Sequence, residues 1–120
     1  MLIASKLIAA GQKAYDSGRL TQALGSFTKA VALRPDDPVA LLYVGLVHYE
    51  LGQLDQAVAP LEKSRSVKPD NSRADVLLGA VYQELGKTDL AKQRYEEYLK
   101  MTPKGEHAGE VRVILAGLGS

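Results

Sequence analysis

The segment GLVHYELGQLDQA, Gly45 to Ala57, decides how this chain is read. It recurs in outline as GQKAYDSGRLTQA from Gly11 to Ala23 and as GAVYQELGKTDLA from Gly79 to Ala91. Glycine opens each copy and stands again at 18, 52 and 86, alanine closes it, and a proline follows at 35, 69 and 103, every position 34 residues from its counterpart. A period of that length marks stacked supersecondary units. In each unit a helical stretch is cut by a glycine, a second stretch follows, and the proline ends it. Helices are therefore predicted over about 2–17 and 21–34, 38–51 and 55–68, and 72–85 and 88–101.

Gly11, Gly45 and Gly79 fall in mid-helix, where glycine costs roughly 1 kcal/mol relative to alanine, so a packing gain must offset the loss. Close approach to Ala23, Ala57 and Ala91 of the partner helix is the expected gain, with Phe27, Leu61 and Tyr95 wedged between adjacent units. From Glu106 to Leu118 the residues Val111, Ile114, Leu115 and Leu118 fall at i, i+3, i+4 and i+7. That stripe predicts a helix capping the last unit's stacking face, with an end softened by Gly117 and Gly119. At the other end Met1, Leu2 and Ile3 begin a helix without a preceding N-cap residue. The outer face around Leu7 is expected to be open, as a piece of a longer array, a surface for self-association or simply a tolerated apolar end.

The set Leu7, Ala10, Gly11, Tyr15, Ala23, Phe27, Ala30, Pro35 and its copy Leu41, Val44, Gly45, Tyr49, Ala57, Leu61, Pro69 resemble the tetratricopeptide repeat family. The third copy, Leu78, Gly79, Tyr82, Ala91, Tyr95, Pro103, resembles it too. The resemblance spans repeats at 4–37, 38–71 and 72–105. It implies an all-α fold of three helix-turn-helix repeats stacked as a right-handed superhelical solenoid, working as a non-catalytic adaptor for a peptide or partner helix.

The family's inner surface, carried onto this sequence, comprises Ser5, Ile8, Ala9, Gln12, Tyr15 and Asp16, then Val39, Leu42, Tyr43, Leu46, Tyr49 and Glu50. The third unit supplies Arg73, Val76, Leu77, Ala80, Gln83 and Glu84. Ile8, Leu42 and Val76 form one row, flanked by Tyr43, Leu46, Tyr15 and Tyr49. An apolar stripe that the domain leaves uncovered points to a partner. Asp16, Glu50 and Glu84 form an acidic row beside it, so the expected ligand has apolar anchors and a Lys or Arg. The family's best-known use is a clamp on the acidic tail of heat-shock chaperones through a Lys-Asn-Asn-Lys-Arg set. The matching positions here are Ile8, Gln12, Tyr43, Arg73 and Leu77, and the single charge kept, Arg73, argues against that clamp.

Composition narrows the function classes. A net charge of +1, with both signs mixed along the chain, gives no block suited to nucleic acid. No run is long and apolar enough to cross a membrane, so a soluble domain is expected. The first ten residues lack a basic leader and merge into the first repeat, which favours helix over a signal peptide. Cysteine is absent, removing disulfides and thiolate metal sites and leaving the compartment open. Of the two histidines, His48 is expected to be packed against the partner helix and His107 to sit in solvent. No carboxylate pair, nucleophile elbow or phosphate loop is present, so no catalytic residue, metal or cofactor is expected. Pro60 lies inside a second helix at the position held by Ser26 and Arg94, which predicts a mild kink on the outward side.

Overall fold

The computed structural model describes residues 2–118. Seven helices follow in order: α1 (Leu2–Asp16), α2 (Leu20–Leu33), α3 (Pro38–Glu50), α4 (Leu54–Val67), α5 (Ser72–Glu84), α6 (Thr88–Met101) and α7 (Ala108–Gly117). Among the described residues there is no strand. The helix ends agree with the sequence expectation to within a residue, except that α7 begins two residues late because Glu106 and His107 form a turn. Met1 and Gly119 lie outside the described residues.

Within each helical hairpin the turn is made the same way. Gly18, Gly52 and Gly86 take φ of 77°, 78° and 77°, the left-handed region. The N–H of the next residue reaches back to a carbonyl near the end of the first helix: Arg19 to Ala14 at 2.9 Å, Gln53 to His48 and Lys87 to Tyr82 at 2.8 Å. This closure reverses the chain and satisfies carbonyls that the helix end leaves free. The links between hairpins differ. Asp37 caps α3, its Oδ1 accepting the N–H groups of Val39 at 2.9 Å and Ala40 at 3.1 Å, with Pro38 opening the helix. Asn71, its counterpart before α5, makes no such bond.

The partner helices pack as pairs, α1 with α2, α3 with α4 and α5 with α6, and each pair stacks on the next through α2 on α3 and α4 on α5. The stack measures 46 × 26 × 22 Å. Ala23, Ala57 and Ala91 are fully buried at the crossings, yet they are not what occupies the glycine notches. A Cβ on Gly11 would stand 2.7 Å from the ring of Phe27, and one on Gly45 or Gly79 would collide with Leu61 or Tyr95. The reason is volume: a missing side chain leaves a hollow, and dense packing demands a large neighbour to fill it. Phe27 also bridges units, its ring stacked 4.6 Å from that of Tyr43.

α4 runs unbroken through Pro60. The position lies on the outward side formed by α2, α4 and α6, but at a seam and not in solvent: Pro60 is half-buried and Arg94, its counterpart, points inward beside Asp75. Asp75 is fully buried on α5; it accepts a hydrogen bond from Arg65 Nε at 2.7 Å and lies 3.8 Å from Arg94. Burial pushes its carboxyl above the ordinary value, and the Arg65 guanidinium only partly counters this. Tyr82 adds a bond to Glu62 at 2.5 Å. Beyond α6, α7 buries Ala108 and Val111 and packs Ile114, Leu115 and Leu118 against the same core, while Val113 is exposed. No helix among the described residues is long and apolar enough to cross a membrane.

Candidate functional site

The side of the stack formed by α1, α3 and α5 carries two hollows that meet at Arg73. One, of about 420 Å³, is lined by Gln12 of α1, by Pro38, Val39, Leu42 and Tyr43 of α3, by Lys68, Asp70 and Asn71 of the loop between α4 and α5, and by Arg73. The other, of about 180 Å³, is lined by Leu46, Arg73, Val76, Leu77 and His107. Arg73 opens α5's exposed side, and its guanidinium lies 5.9 Å from the ring centroid of Tyr43. Since Phe27 occupies one face of that ring, the cation sits over the other, a placement the ring's quadrupole favours.

Eight of the residues expected from sequence line these hollows: Gln12, Val39, Leu42, Tyr43, Leu46, Arg73, Val76 and Leu77. Leu42 needs a correction. At 2% exposure it is a floor packed into the core, not an uncovered stripe residue. Ile8 and Tyr15 are half-buried against the cluster around Phe27, and Tyr49 against the cluster around Leu61 and Leu78. Stacking itself consumes these side chains, because the face turned to the neighbouring unit and the face turned to the groove overlap on a helix flanked on both sides. Ser5 and Ala9 are exposed, and neither they nor Ala80 line a hollow.

The acidic row is also engaged. Tyr15 Oη donates to Glu50 across the first seam, and Tyr49 pairs in the same way with Glu84 across the second. Burial first, and then the bond to Glu50, push the Tyr15 phenol up to about 12. For Tyr49 the bond to Glu84 leads and burial follows, again to about 12. Gln83 accepts from Tyr95 Oη at 2.9 Å. Asp16 is exposed and lines neither hollow. The row is therefore a seam device at two of its three carboxylates, which removes the main argument for a basic ligand residue.

Five lining residues were not expected from sequence: Pro38, Lys68, Asp70, Asn71 and His107. His107 is only partly in solvent: its backbone N–H donates to Tyr98 Oη at 2.9 Å, and the turn so anchored brings its half-buried ring to the second hollow. The loop residues Lys68 and Asn71 add polar groups to the first hollow. Asn71 carried the one readable signal, since it replaces the capping Asp37 of the preceding link. His48, expected to be packed against its partner helix, is half-buried on the opposite side of the stack, with Nδ1 at 2.7 Å from Gln53 Oε1.

Comparison with known proteins agrees with this architecture. A family model described as "Tetratricopeptide repeat" matches residues 8–74, and a second of the same description matches 74–104. No curated protein matches the chain. Among solved structures, the first TPR of Spaghetti (RPAP3) bound to HSP90 peptide SRMEEVD superposes with a TM-score of 0.90 at 25% identity, over 99% of this chain and 95% of that one. The P58(IPK) TPR domain gives 0.89 at 27% identity, over 96% of this chain and 32% of that one. The TPR2B domain of yeast Sti1, in its pHsp70 complex, gives 0.90 at 14% identity over 98% and 97%, a likeness of fold alone. With its 34-residue helical hairpins and a family match spanning more than half its length, the chain belongs to the tetratricopeptide repeat family.

Proposed function

We propose that this protein is a non-catalytic adaptor whose inner face holds an extended peptide segment of a partner protein across Arg73. The carrying observation is the convergence of two hollows on that one cation: apolar side chains of Val39, Leu46, Val76 and Leu77, with Lys68, Asp70 and Asn71 adding polar groups to one hollow and His107 to the other. Such a surface suits a segment with an apolar anchor on each side of a hydrogen-bond acceptor, a backbone carbonyl or carboxylate, placed over the guanidinium. The Spaghetti domain's peptide SRMEEVD has acceptors and a methionine of that general kind, which supports an acidic or neutral segment over a basic one. Of the five positions matching the chaperone clamp, only Arg73 is charged, so a carboxylate here is held by fewer cations and binding is expected at about micromolar strength.

The test is affinity capture with the wild-type chain beside Leu46→Glu and Arg73→Glu. Arg73 is exposed and Leu46 only half-buried, unlike Leu42, so the fold should survive both changes. A groove partner is lost by both variants; a partner retained equally by all three is bound elsewhere. A second reading, self-association, has in its favour Ile3 of α1 at 66% exposure. Sedimentation at rising concentration separates the two, since a persistent monomer removes it.

A further inference from the structure

The opposite side of the stack, formed by α2, α4 and α6, has two seams that the repeat makes equivalent, and they are built in different ways. At the seam between α4 and α6 the floor holds Asp75, and the space above it is filled by Arg65 and Arg94, with Tyr82 bonded to Glu62 alongside. Thirty-four residues earlier, the same positions carry Leu41, Val31, Pro60, His48 and Thr28. The long side chains are gone, and a groove of about 450 Å³ lies open there, walled chiefly by Val31, Leu41, Val44, Ala59 and Pro60.

Its construction carries a local penalty. Pro60 cannot donate to the carbonyl of Gln56, itself a groove residue, so that acceptor is left without its helical donor. Charge is one-sided as well. No carboxylate lines the groove, and its one lysine, Lys63, meets only Asp36, at 3.5 Å, in a pair whose acid is 81% exposed.

We propose that this outer groove is a second docking site, taking an amphipathic helix of a partner protein. The helix lays an apolar stripe at i, i+3 or i+4, and i+7 between α2 and α4, with an acidic residue at the Lys63 end. Two parallel helices with a third beneath them form a trough that a helix fits, the small Ala59 in its wall permits close approach, and Lys63 supplies the complementary charge. The site faces away from Arg73, so one chain can hold two partner segments at once.

The experiment uses the full chain as bait for a displayed library of helical peptides with randomised faces. Three variants accompany it: Ala59→Glu, which fills and charges the exposed wall; Val31→Arg with Leu41→Asp and Pro60→Arg, which transplants the filled seam into the open one; and Arg73→Glu on the inner face. The expected result is a converging family with an apolar stripe and a terminal acid, bound at least about tenfold more weakly by Ala59→Glu and by the transplant, and equally well by Arg73→Glu. Circular dichroism melting verifies that each variant is folded, and Ala59→Glu alone decides the matter if the transplant is not. Failure to enrich such a family, or binding that Arg73→Glu abolishes and Ala59→Glu leaves intact, overturns the proposal. So does a concentration-dependent dimer that Ala59→Glu dissolves, which would make the occupant a second copy of this chain.

Discussion

Gly45 stands so near Leu61 that a single methyl group has no place between them, whereas Gly25 faces open space. The same substitution should therefore have opposite signs at the two sites. Gly45→Ala gains helix propensity but forces Leu61 or the α3–α4 spacing to give way, a net loss expected at about 1–3 kcal/mol. Gly25→Ala has no such clash and should stabilise by up to about 1 kcal/mol; urea denaturation reads both. The tyrosines give a second residue-scale expectation. Tyr15 and Tyr82 are raised to about 12 by burial and then by their bonds to Glu50 and Glu62, and Tyr49 by its bond to Glu84 and then by burial. A folded-state value above the unfolded one, near 10, means their contribution is complete below pH 10 and is lost as the pH rises from 10 to 12. The urea midpoint should fall through that window, and less steeply in Tyr15→Phe. A flat midpoint would contradict the seam bonds. The notch glycines were legible from their spacing. That they face Phe27, Leu61 and Tyr95, not the alanines, was not, because a period gives position along a helix but not the direction in which the partner helix lies.

At the scale of elements the two seams show how much one substitution redirects. Asp75 stands where the preceding unit has Leu41, and its burial draws Arg65 and Arg94 inward. Asp75→Ala leaves those guanidiniums without their counter-charge and is expected to cost about 3 kcal/mol. Replacing all three together, Asp75→Leu with Arg65→Val and Arg94→Met, should cost much less, since isolated apolar residues of similar volume need no partner. Thermal melts of the two variants check the order, and a triple variant less stable than Asp75→Ala would contradict it. The sequence displayed the six repeat helices and their ends within a residue because glycine turns and closing prolines punctuate them. It hid the inward network, since a lone acid on a helix reads as solvated and its two partners lie on different helices, brought together only by stacking. Pro60 was read only in part for the same reason: its position lies on the outward side but faces a seam, which no property of α4 by itself reveals.

For the molecule as a whole, stacking turns one repeated hairpin into a 46 Å rod with two unlike long sides. The inner side concentrates its polar groups around Arg73, and the outer side leaves one seam filled and one open. The paired helices were readable from periodicity, and which of them form the inner side came from the resemblance to the repeat family. The groove was readable only in part: Val39, Tyr43, Leu46, Arg73 and Val76 line it as expected, but Ile8, Tyr15 and Tyr49 are spent on stacking and His107 enters from a turn. Repeat register says which residues share a side; it does not say which of them the next unit covers. The measurement that bears most directly on the central claim is amide chemical-shift mapping of the chain bound to a partner captured by the wild type and lost by Arg73→Glu. Perturbations should concentrate on Val39, Tyr43, Leu46, Arg73, Val76, Leu77 and His107. Perturbations confined to α2, α4 and α6, with Arg73 and its two hollows unmoved, would contradict it.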